Sequence, residues 1–454
     1  MGHRHVAWPP SALALRGEKS MKVLLYPHSM EVGGSQLNAI QLAGAIRDRG
    51  HEVVVLSEPG PLVERVQKLA LEHVELPPHR RRPSPKVMGI ISDLVRRRDI
   101  DVVHGHEWPP IIEAFLLRTL VHRTPVVGTI MSMSVAPFLP RSVPLTVGTE
   151  LIRRAALAAG HRSVELLEPP VDTRADNPSV DGSSFRARRG VRPDEVLVAM
   201  VCRLVPDLKL EGLLSACDAV RELAVAGKSV RLAIVGDGRA RGDVARRAAD
   251  VNAAAGYEVV LLTGEMADPS PAYAAADVII GQGGSALRGM AFAKPLVVVG
   301  EDGFSELLTP ESASTFLRQG WYGLGAGSLG TGVPALRVAL ERLVDSPDVR
   351  RELGLFGRQL AEQRFSLGQA AEIVENMYIS AIRNPISFEH LLPDFLHVAA
   401  GVAGNRIRRK YLRWLGTAAS DDSNARDVIA AVFENGKGAK MPPLLADRAS
   451  AKYK

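Results

Sequence analysis

Two basic residues, Arg203 and Lys209, stand where a predicted strand is followed by a predicted helix. Residues 196–202 form an apolar segment typical of a buried strand, and the residues after Lys209 have the spacing of an amphipathic helix. Strand ends and helix starts are where α/β folds hold ligands, and two cations there would suit a departing diphosphate. Two unrelated surface cations would give the same pattern, and spacing alone favours that alternative.

A stretch rich in small residues, G-Q-G-G-S-A-L-R-G at positions 281–289, lies between two further predicted strands. Three small residues at a helix start expose backbone N–H groups, so Gly284 and Ser285 are predicted to contact a phosphate. Arg288 is predicted to donate to an oxygen of the phosphate or of an acidic sugar; the alternative is a cation on a surface helix. Glu301 follows the next predicted strand and is expected either to bind a ligand hydroxyl or to cap the next helix.

Gly236 and Gly238 follow another predicted strand, V-R-L-A-I-V, and precede a predicted helix. Their spacing, Gly-x-Gly-x-x-x-Gly, differs from the dinucleotide-binding fingerprint, and no convincing acidic ribose ligand follows at the expected distance. The strand–turn–helix context alone is a weak signal, so NAD is a poor candidate ligand.

His104, His106 and Glu107 lie at the end of a predicted strand, in V-V-H-G-H-E. A metal site would need a further ligand, and none stands at helical spacing, so no metal is predicted. We expect one or two of these side chains to line a cleft. The alternative is a histidine whose ring bonds to the backbone.

The composition limits the function classes. The 454 residues carry a formal net charge of +6, which favours phosphate-bearing ligands, nucleic acid or anionic membrane, as would a generally Arg-rich surface. Two cysteines form neither a disulfide framework nor a zinc spacing, which predicts a cytoplasmic protein. There is no apolar run of about 18 residues, no P-loop, no Gly-x-Ser-x-Gly motif and no basic–aromatic pattern of a nucleic-acid groove.

Short apolar segments alternate with helical patterns in two blocks, which predicts an α/β protein with parallel sheets. A segment rich in Pro, Asp and Ser near residues 169–195 is predicted as the linker between them. The predicted division is a disordered leader at 1–20, Rossmann-like domains at 21–175 and 176–365, a crossing helix at 366–383 and a helical basic tail, partly disordered, at 384–454. Two such domains form a cleft between facing strand ends.

The order and spacing of these elements over residues 21–383 resemble the GT-B glycosyltransferases, most closely the retaining enzymes of family 4. The resemblance rests mainly on G-G-S-Q-L at 33–37, V-V-H-G-H at 102–106, R-L-V-P-D-L-K at 203–209, L-A-I-V-G-D-G at 232–238 and M-A-F-A-K-P-L-V-V at 290–298.

The resemblance implies a GT-B fold, with a UDP- or GDP-sugar donor in the second domain, an acceptor in the first, and no metal or other cofactor. The diphosphate would be held by Arg203 and Lys209, with Gly33, Gly34, Gly284 and Ser285. Arg288, Gly236, Gly238 and Glu301 would lie at the donor nucleotide or sugar. His106, Glu107 and Met131 would lie at the acceptor or sugar cleft.

Two departures separate this chain from the family pattern. The family carries two glutamates separated by seven residues; Arg288 stands at the second, and the segment of the first is missing. A guanidinium only donates hydrogen bonds, so it cannot replace a carboxylate that accepts them from ribose hydroxyls. In addition, Met131 stands where many members have a histidine near the donor sugar.

The resulting prediction is a glycosyltransferase that moves a hexosyl unit, with retention, to a small-molecule or lipid-linked acceptor. The missing glutamates leave open a non-catalytic GT-B protein that binds a nucleotide or a partner. A sugar-nucleotide epimerase ranks lower, because the donor half offers few carboxylates or histidines. The basic segment at 405–416 is either a helix on anionic lipid at the inner face of the membrane or, the favoured interpretation, a surface helix packed on its domain.

Overall fold

A computed structural model describes residues 20–78, 82–132 and 135–414. Thirteen strands in these residues form two sheets, one of seven strands and one of six. The predicted leader at 1–20 lies almost wholly outside the described residues, as does the tail beyond 414. In the part described, no helix is both long enough and apolar enough to cross a membrane.

The first sheet has the order β3-β2-β1-β4-β5-β6-β7, and all its pairs are parallel. Its strands are β1 (Lys22–Tyr26), β2 (Glu52–Ser57), β3 (Glu72–Glu75), β4 (Val102–His106), β5 (Val126–Ile130), β6 (Leu145–Val147) and β7 (Val164–Leu166). Its helices are α1 (Gly34–Asp48), α2 (Val63–Lys68), α3 (Pro85–Arg98), α4 (Trp108–Leu120) and α5 (Glu150–Ala158).

The second sheet has the order β10-β9-β8-β11-β12-β13, parallel except for β13, which runs antiparallel to β12. Its strands are β8 (Val196–Val201), β9 (Val230–Val235), β10 (Val260–Gly264), β11 (Val278–Gly281), β12 (Leu296–Val299) and β13 (Ser305–Leu307). The helices of this half are α6 (Ser183–Arg188), α7 (Leu210–Val225), α8 (Arg241–Ala255), α9 (Ser270–Ala275), α10 (Gly284–Ala291), α11 (Ala313–Gln319), α12 (Gly332–Asp345) and α13 (Pro347–Arg364).

The continuous apolar strands explain the layered architecture. A strand of a parallel sheet is covered by helices on both faces, so successive side chains on opposite faces are both buried. In β1, for example, Leu24 packs in the core on one face and Leu25 in the core on the other. The second sheet has the same two-sided burial. The predicted α/β class with two parallel sheets is therefore confirmed.

The chain passes between the two halves twice, and the two passages touch. Val171 donates its N–H to the carbonyl of Phe365 (2.8 Å), and Leu367 donates to the carbonyl of Val171 (3.0 Å). The segment predicted as linker is thus partly ordered, since it pairs at Val171 and contains α6.

Helix α14 (Leu367–Arg383) follows the second passage and packs on the first domain beside α1. Glu375 of α14 accepts hydrogen bonds from Arg49 and from Nε2 of His51 (2.8 Å). Nδ1 of His51 accepts the backbone N–H of Met21, so the ring proton lies on the nitrogen that faces Glu375. Burial raises the pKa of Glu375, but the hydrogen bonds from Arg49 and His51 outweigh it and lower the pKa.

Helix α15 (Phe388–Trp414) is the last described element. It begins well before the basic segment that the sequence singled out at 405–416. Leu391 and Val398 of this helix are buried against the first domain.

Candidate functional site

The second sheet reverses its strand order between β8 and β11. From β8 the chain proceeds outward to β9 and β10, then returns to place β11 on the other side of β8. Such a reversal opens a crevice at the carboxyl ends of the strands, where open α/β sheets bind ligands. The loops that follow β8, β11 and β12 meet at this crevice.

Arg203 and Lys209 lie in the loop after β8. Lys209 is the N-cap residue of α7, and Arg203 is exposed. Within the described residues, neither side chain has a hydrogen-bond or ion-pair partner. Burial, together with the positive charge of Arg203, lowers the pKa of Lys209 to about 8. An unpaired ammonium group beside a second cation is electrostatically unfavourable, and an anion bound near both would stabilise it.

The loop that carries these cations is held by two neighbouring loops. Leu208 has a positive φ of 64°, and its N–H donates to Oε1 of Glu301 (3.3 Å). The side-chain amide of Gln282 donates to the carbonyl of Leu208 (2.8 Å). Glu301 also accepts a hydrogen bond from the hydroxyl of Tyr322 (2.8 Å).

Glu301 therefore positions the loop of Arg203 and Lys209 from the end of β12. The expectation that it caps the next helix is wrong, because that helix, α11, begins after Ser312. Its contact with a ligand hydroxyl stays a prediction. Gln282 was missed at the sequence level, where it stood only as part of a small-residue stretch.

Gly236 and Gly238 have no Cβ, which lets the loop after β9 pack directly against the backbone of the loop of Arg203. A Cβ at Gly236 would lie 1.9 Å from the carbonyl oxygen of Cys202, and one at Gly238 would lie 2.3 Å from that of Leu204. Both residues also have strongly positive φ angles, 145° and 151°. Their visible role is therefore to bring two backbones together, and a contact with the nucleotide or sugar stays a prediction.

The turn after β11 presents unpaired backbone donors to the same crevice. Gly283, the N-cap residue of α10, has a φ of 56°, and its N–H donates to the carbonyl of Trp321 (2.7 Å). Gly283 and Gly284 are exposed, and nothing lies within 4 Å of where a Cβ on either would stand. Among the described residues, the N–H groups of Gly284 and Ser285 have no acceptor. The hydroxyl of Ser285 instead bonds back to the backbone of Gln282.

Arg288 has a partner inside the protein. Its Nε and Nη2 donate to the two carboxylate oxygens of Asp176 (2.8 and 2.6 Å), and Nη2 also donates to the hydroxyl of Ser270 (3.1 Å). The guanidinium lies 5.0 Å from the ring centre of Tyr273. Arg288 is therefore part-buried and paired, not a free cation on a surface helix, and it links α10 to the linker segment. Its contact with a donor oxygen stays a prediction.

The first sheet also reverses its order, between β1 and β4. Gly33 and Gly34 begin α1 after β1; Gly33 is the N-cap residue, and space beside Gly34 is open. Next to them, the side-chain amide of Gln36 bonds to Nε2 of His28 (3.2 Å). His106, at the end of β4, is buried, and its Nε2 has no partner among the described residues. Burial, then the neighbouring His104 and His28, lower the pKa of His106 well below its usual range.

Glu107 and Met131, both predicted at the cleft, are joined directly. Glu107 accepts hydrogen bonds from the N–H groups of Met131 (2.9 Å) and Ser132 (3.0 Å) and from the hydroxyl of Ser132 (2.7 Å). Burial raises the pKa of the Glu107 carboxyl, while these hydrogen bonds lower it and offset part of the rise. Glu107 thus holds the loop after β5 against β4, from a backbone conformation with a φ of 67°.

The two halves of the molecule contact each other. A Cβ at Gly320 of the second half would lie 3.3 Å from Cγ2 of Thr149, which follows β6 in the first. Burial raises the pKa of Asp268, after β10, but hydrogen bonds from Ser270 and the charges of Arg288 and Arg65 lower it. Arg65 belongs to α2 of the first domain, so its charge acts across the cleft.

Gln282, in the turn of Gly284 and Ser285, bonds to the loop that carries Arg203 and Lys209, and Glu301, Gly236 and Gly238 also contact that loop. Gly33, Gly34, His106, Glu107 and Met131 lie at the corresponding edge of the first sheet. Arg288 is tied to Asp176. Within the described residues, no group of three His, Cys, Asp or Glu side chains could hold a metal ion.

Two family models match the chain in succession. The model described as Glycosyltransferase Family 4 matches residues 32–163, and that described as Glycosyl transferases group 1 matches residues 195–320. The chain belongs to the GT-B glycosyltransferases of family 4 and group 1. Together the two matches cover more than half of this glycosyltransferase, the first spanning β2–β6 and the second β8–β13. None of the curated proteins matches it in sequence.

Solved structures share the fold of this glycosyltransferase at low sequence identity. A glycosyltransferase from Rickettsia africae has a TM-score of 0.65 at 15% identity, covering 81% of this chain and 100% of that one. Anabaena HepE in complex with UDP has a TM-score of 0.62 at 18% identity, covering 79% and 100%. The catalytic domain of Arabidopsis thaliana starch synthase IV, bound to ADP and acarbose, has a TM-score of 0.59 at 13% identity, covering 81% and 100%. The GT-B fold expected from the sequence is confirmed.

Proposed function

We propose that this glycosyltransferase transfers a hexosyl unit from a UDP- or GDP-sugar to an acceptor held by the first domain. The observation that carries the proposal is the pair of unpaired cations, Arg203 and Lys209, beside the unpaired N–H groups of Gly284 and Ser285. Charged and backbone donors on two adjacent loops at the carboxyl ends of parallel strands suit a diphosphate. In support, a structure of similar fold, Anabaena HepE, is bound to UDP.

The proposed chemistry needs charge stabilisation more than a covalent catalyst. The bond between the anomeric carbon and the diphosphate oxygen breaks, and its electron pair remains on the diphosphate. Arg203 and Lys209 neutralise that developing charge, which lowers the barrier because the two cations are already in place. The acceptor hydroxyl then bonds to the anomeric carbon, and its proton leaves with the diphosphate. Retention and independence from metal ions are part of this proposal.

The ribose contact is the part of the family pattern that this site must supply differently. At the position of the family's second glutamate, Arg288 is engaged with Asp176 and Ser270. We therefore leave Arg288 out of the proposed donor contacts. Phosphate binding would carry most of the donor affinity, and the nucleoside would be held more weakly than in relatives with the carboxylate.

A nucleotide panel tests the proposal. UDP, GDP, ADP and CDP are added to the full-length protein, and the melting temperature is measured. A nucleotide at about 100 times its Kd stabilises the folded state by about 2.7 kcal/mol, so the matching one raises the melting temperature by several degrees. The double variant Arg203→Ala/Lys209→Ala should bind that nucleotide at least about 100-fold more weakly, because two charge-assisted hydrogen bonds are lost.

Arg351→Ala is the matched control, because Arg351 is an exposed cation of the second domain that pairs with Asp348, away from the crevice. It should leave the affinity unchanged. Absence of any nucleotide-dependent shift would contradict the proposal. Nucleotide binding without release of the sugar to any acceptor would favour the non-catalytic alternative that the missing carboxylates raise.

A further inference from the structure

Helix α15 carries a line of exposed apolar side chains. Phe388 is 80% exposed, Leu392 55%, Leu396 59% and Ile407 71%. Steps of four residues, with Ala399, Ala400 and Ala403 in the interval, keep this line on one face of the helix. From Phe388 to Ile407 it extends about 30 Å. An apolar surface of this length is unusual unless something covers it.

The opposite face of α15 is fixed to the first domain. Leu391 and Val398 are buried, and the carboxylate of Asp394 accepts the N–H of Ser142 (2.7 Å). The helix also approaches closely at Gly401, where a Cβ would lie 2.2 Å from that of Phe138. Since this face is packed and hydrogen-bonded, the orientation of the exposed face is set by the fold.

The charges on α15 are segregated along its length. Between Leu392 and Asn405 no exposed side chain is charged, and from 395 to 414 the sequence contains no Asp or Glu. Arg406, Arg408 and Lys410 then follow, all exposed. At about 100° per residue, Arg406 and Lys410 lie on the same side of the helix as the apolar line.

The basic end of α15 contacts a neighbouring loop of the first domain. Nη2 of Arg406 donates to the carbonyl of Arg82 (3.0 Å), which brings the loop before α3 beside the end of α15. The side chain of Arg82 pairs with Glu58, so the positive charge at this end comes from α15 itself.

We infer that the exposed face of α15 docks on an anionic membrane surface. An apolar face that enters the interface, with a cationic end that meets acidic headgroups, is the pattern of an interfacial helix. A second copy of the chain fits less well. Parallel pairing would bring two basic ends together, and antiparallel pairing would offer each basic end only Glu389 as an exposed acidic partner.

Docking through α15 would hold the first domain against the bilayer. The inference concerns the surface of α15 and does not depend on the proposed donor. It can therefore fail or succeed without affecting the proposed transfer reaction.

Vesicle co-flotation of the full-length protein tests the inference. Vesicles of phosphatidylcholine with about 30% phosphatidylglycerol should bind it at least about tenfold better than phosphatidylcholine alone, and high salt should weaken the binding. Leu392→Glu/Leu396→Glu should lower binding to the anionic vesicles about tenfold or more, because two carboxylates enter the apolar face. Arg406→Glu/Lys410→Glu should remove the preference for the anionic lipid.

Leu355→Glu is the matched control: Leu355 is 53% exposed, but it lies on α13 of the second domain. It should bind vesicles as the wild type does. Equal binding to both vesicle types, or a Leu392→Glu/Leu396→Glu variant that binds like the wild type, would overturn the inference. The inference would also be overturned if the wild type formed a dimer that the Leu392→Glu/Leu396→Glu variant does not form, or if this variant had a much lower melting temperature than the wild type. These results would place a second copy, or the chain beyond residue 414, on the face.

Discussion

The two domains share a topology but use the polar groups at their strand ends differently. In the first domain Glu107 accepts three hydrogen bonds from the 131–132 segment, and both ring nitrogens of His104 are engaged, by Tyr378 and Thr129, while Nε2 of His106 has no partner among the described residues. In the second, Arg203 and Lys209 have no partner in the described residues. The bonds of Glu107 and His104 hold the first domain together, whereas the two cations of the second domain are proposed to bind an anion.

The pKa values express the same difference. Burial lowers the pKa of His104 to about 3, so this ring is neutral and serves as a hydrogen-bonding strut between β4 and α14. Lys209 has a pKa of about 8 and therefore remains mostly charged at neutral pH. A structural cation at this depth would normally be paired, because an unpaired charge destabilises the folded state.

The largest expected effect comes from disturbing the close backbone contact between Gly236 and the loop of Arg203 and Lys209. In Gly236→Ala the new Cβ would lie 1.9 Å from the Cys202 carbonyl, at a φ of 145° that L residues rarely adopt. We expect a loss of about 2–4 kcal/mol in the free energy of unfolding, measured by denaturant titration, together with weaker nucleotide binding.

Gly256→Ala is the matched control for that variant. Gly256 also lies in the second domain with a positive φ, 77°, but nothing lies within 4 Å of the position of its Cβ. It should cost only about 1 kcal/mol and leave nucleotide affinity unchanged. If both variants lost the same stability and affinity, the loss in Gly236→Ala would come from its backbone conformation alone, and not from the close approach to the loop of Arg203.

Gly236 also illustrates the difference between features that could be predicted from the sequence and features that could not. Apolar strands, their alternation with helices and the cations after β8 follow from local pattern, and all lie where expected. The contacts that decide what a residue does are not local. Gly236 lacks a Cβ because the carbonyl of Cys202, 34 residues earlier in the chain, lies against it. Arg288 forms an ion pair with Asp176, 112 residues earlier. The residues near Arg288 in the sequence do not indicate that carboxylate, so the sequence alone leaves both a ligand contact and a surface cation open for this arginine.

A second prediction concerns the charge of Lys209. With a pKa of about 8, Lys209 is charged below that pH and neutral above it. The charged form binds the diphosphate, so affinity should be highest at neutral pH and fall as the pH rises. From pH 7 to pH 9 the protonated fraction falls from about 90% to about 10%, which predicts a roughly tenfold weaker affinity for the matching nucleoside diphosphate by calorimetry.

Lys209→Arg separates this effect from other titrations. Arginine keeps its charge throughout the range, so the variant should lose most of the pH dependence whatever its absolute affinity. A fall of the same size in the variant would assign the titration to another group. Wild-type affinity independent of pH would show that the charge of Lys209 does not contribute to binding.

The smallest expected effect on nucleotide affinity comes from the first domain. Glu107→Gln keeps the shape of the side chain but replaces one acceptor oxygen of the carboxylate with an N–H₂ group, which cannot accept from the 131–132 segment. The loop after β5 should loosen, at a cost of about 1–3 kcal/mol in the free energy of unfolding, while nucleotide affinity stays within about twofold.

Turnover with an acceptor should fall more than nucleotide affinity does, because the loosened loop lies at the edge of the first sheet where the acceptor is proposed to bind. Glu107→Gln could instead weaken nucleotide binding as much as the loss of Arg203 and Lys209 does. In that case the strand ends of the first domain would be part of the diphosphate site, and the assignment of the donor to the second domain alone would be wrong.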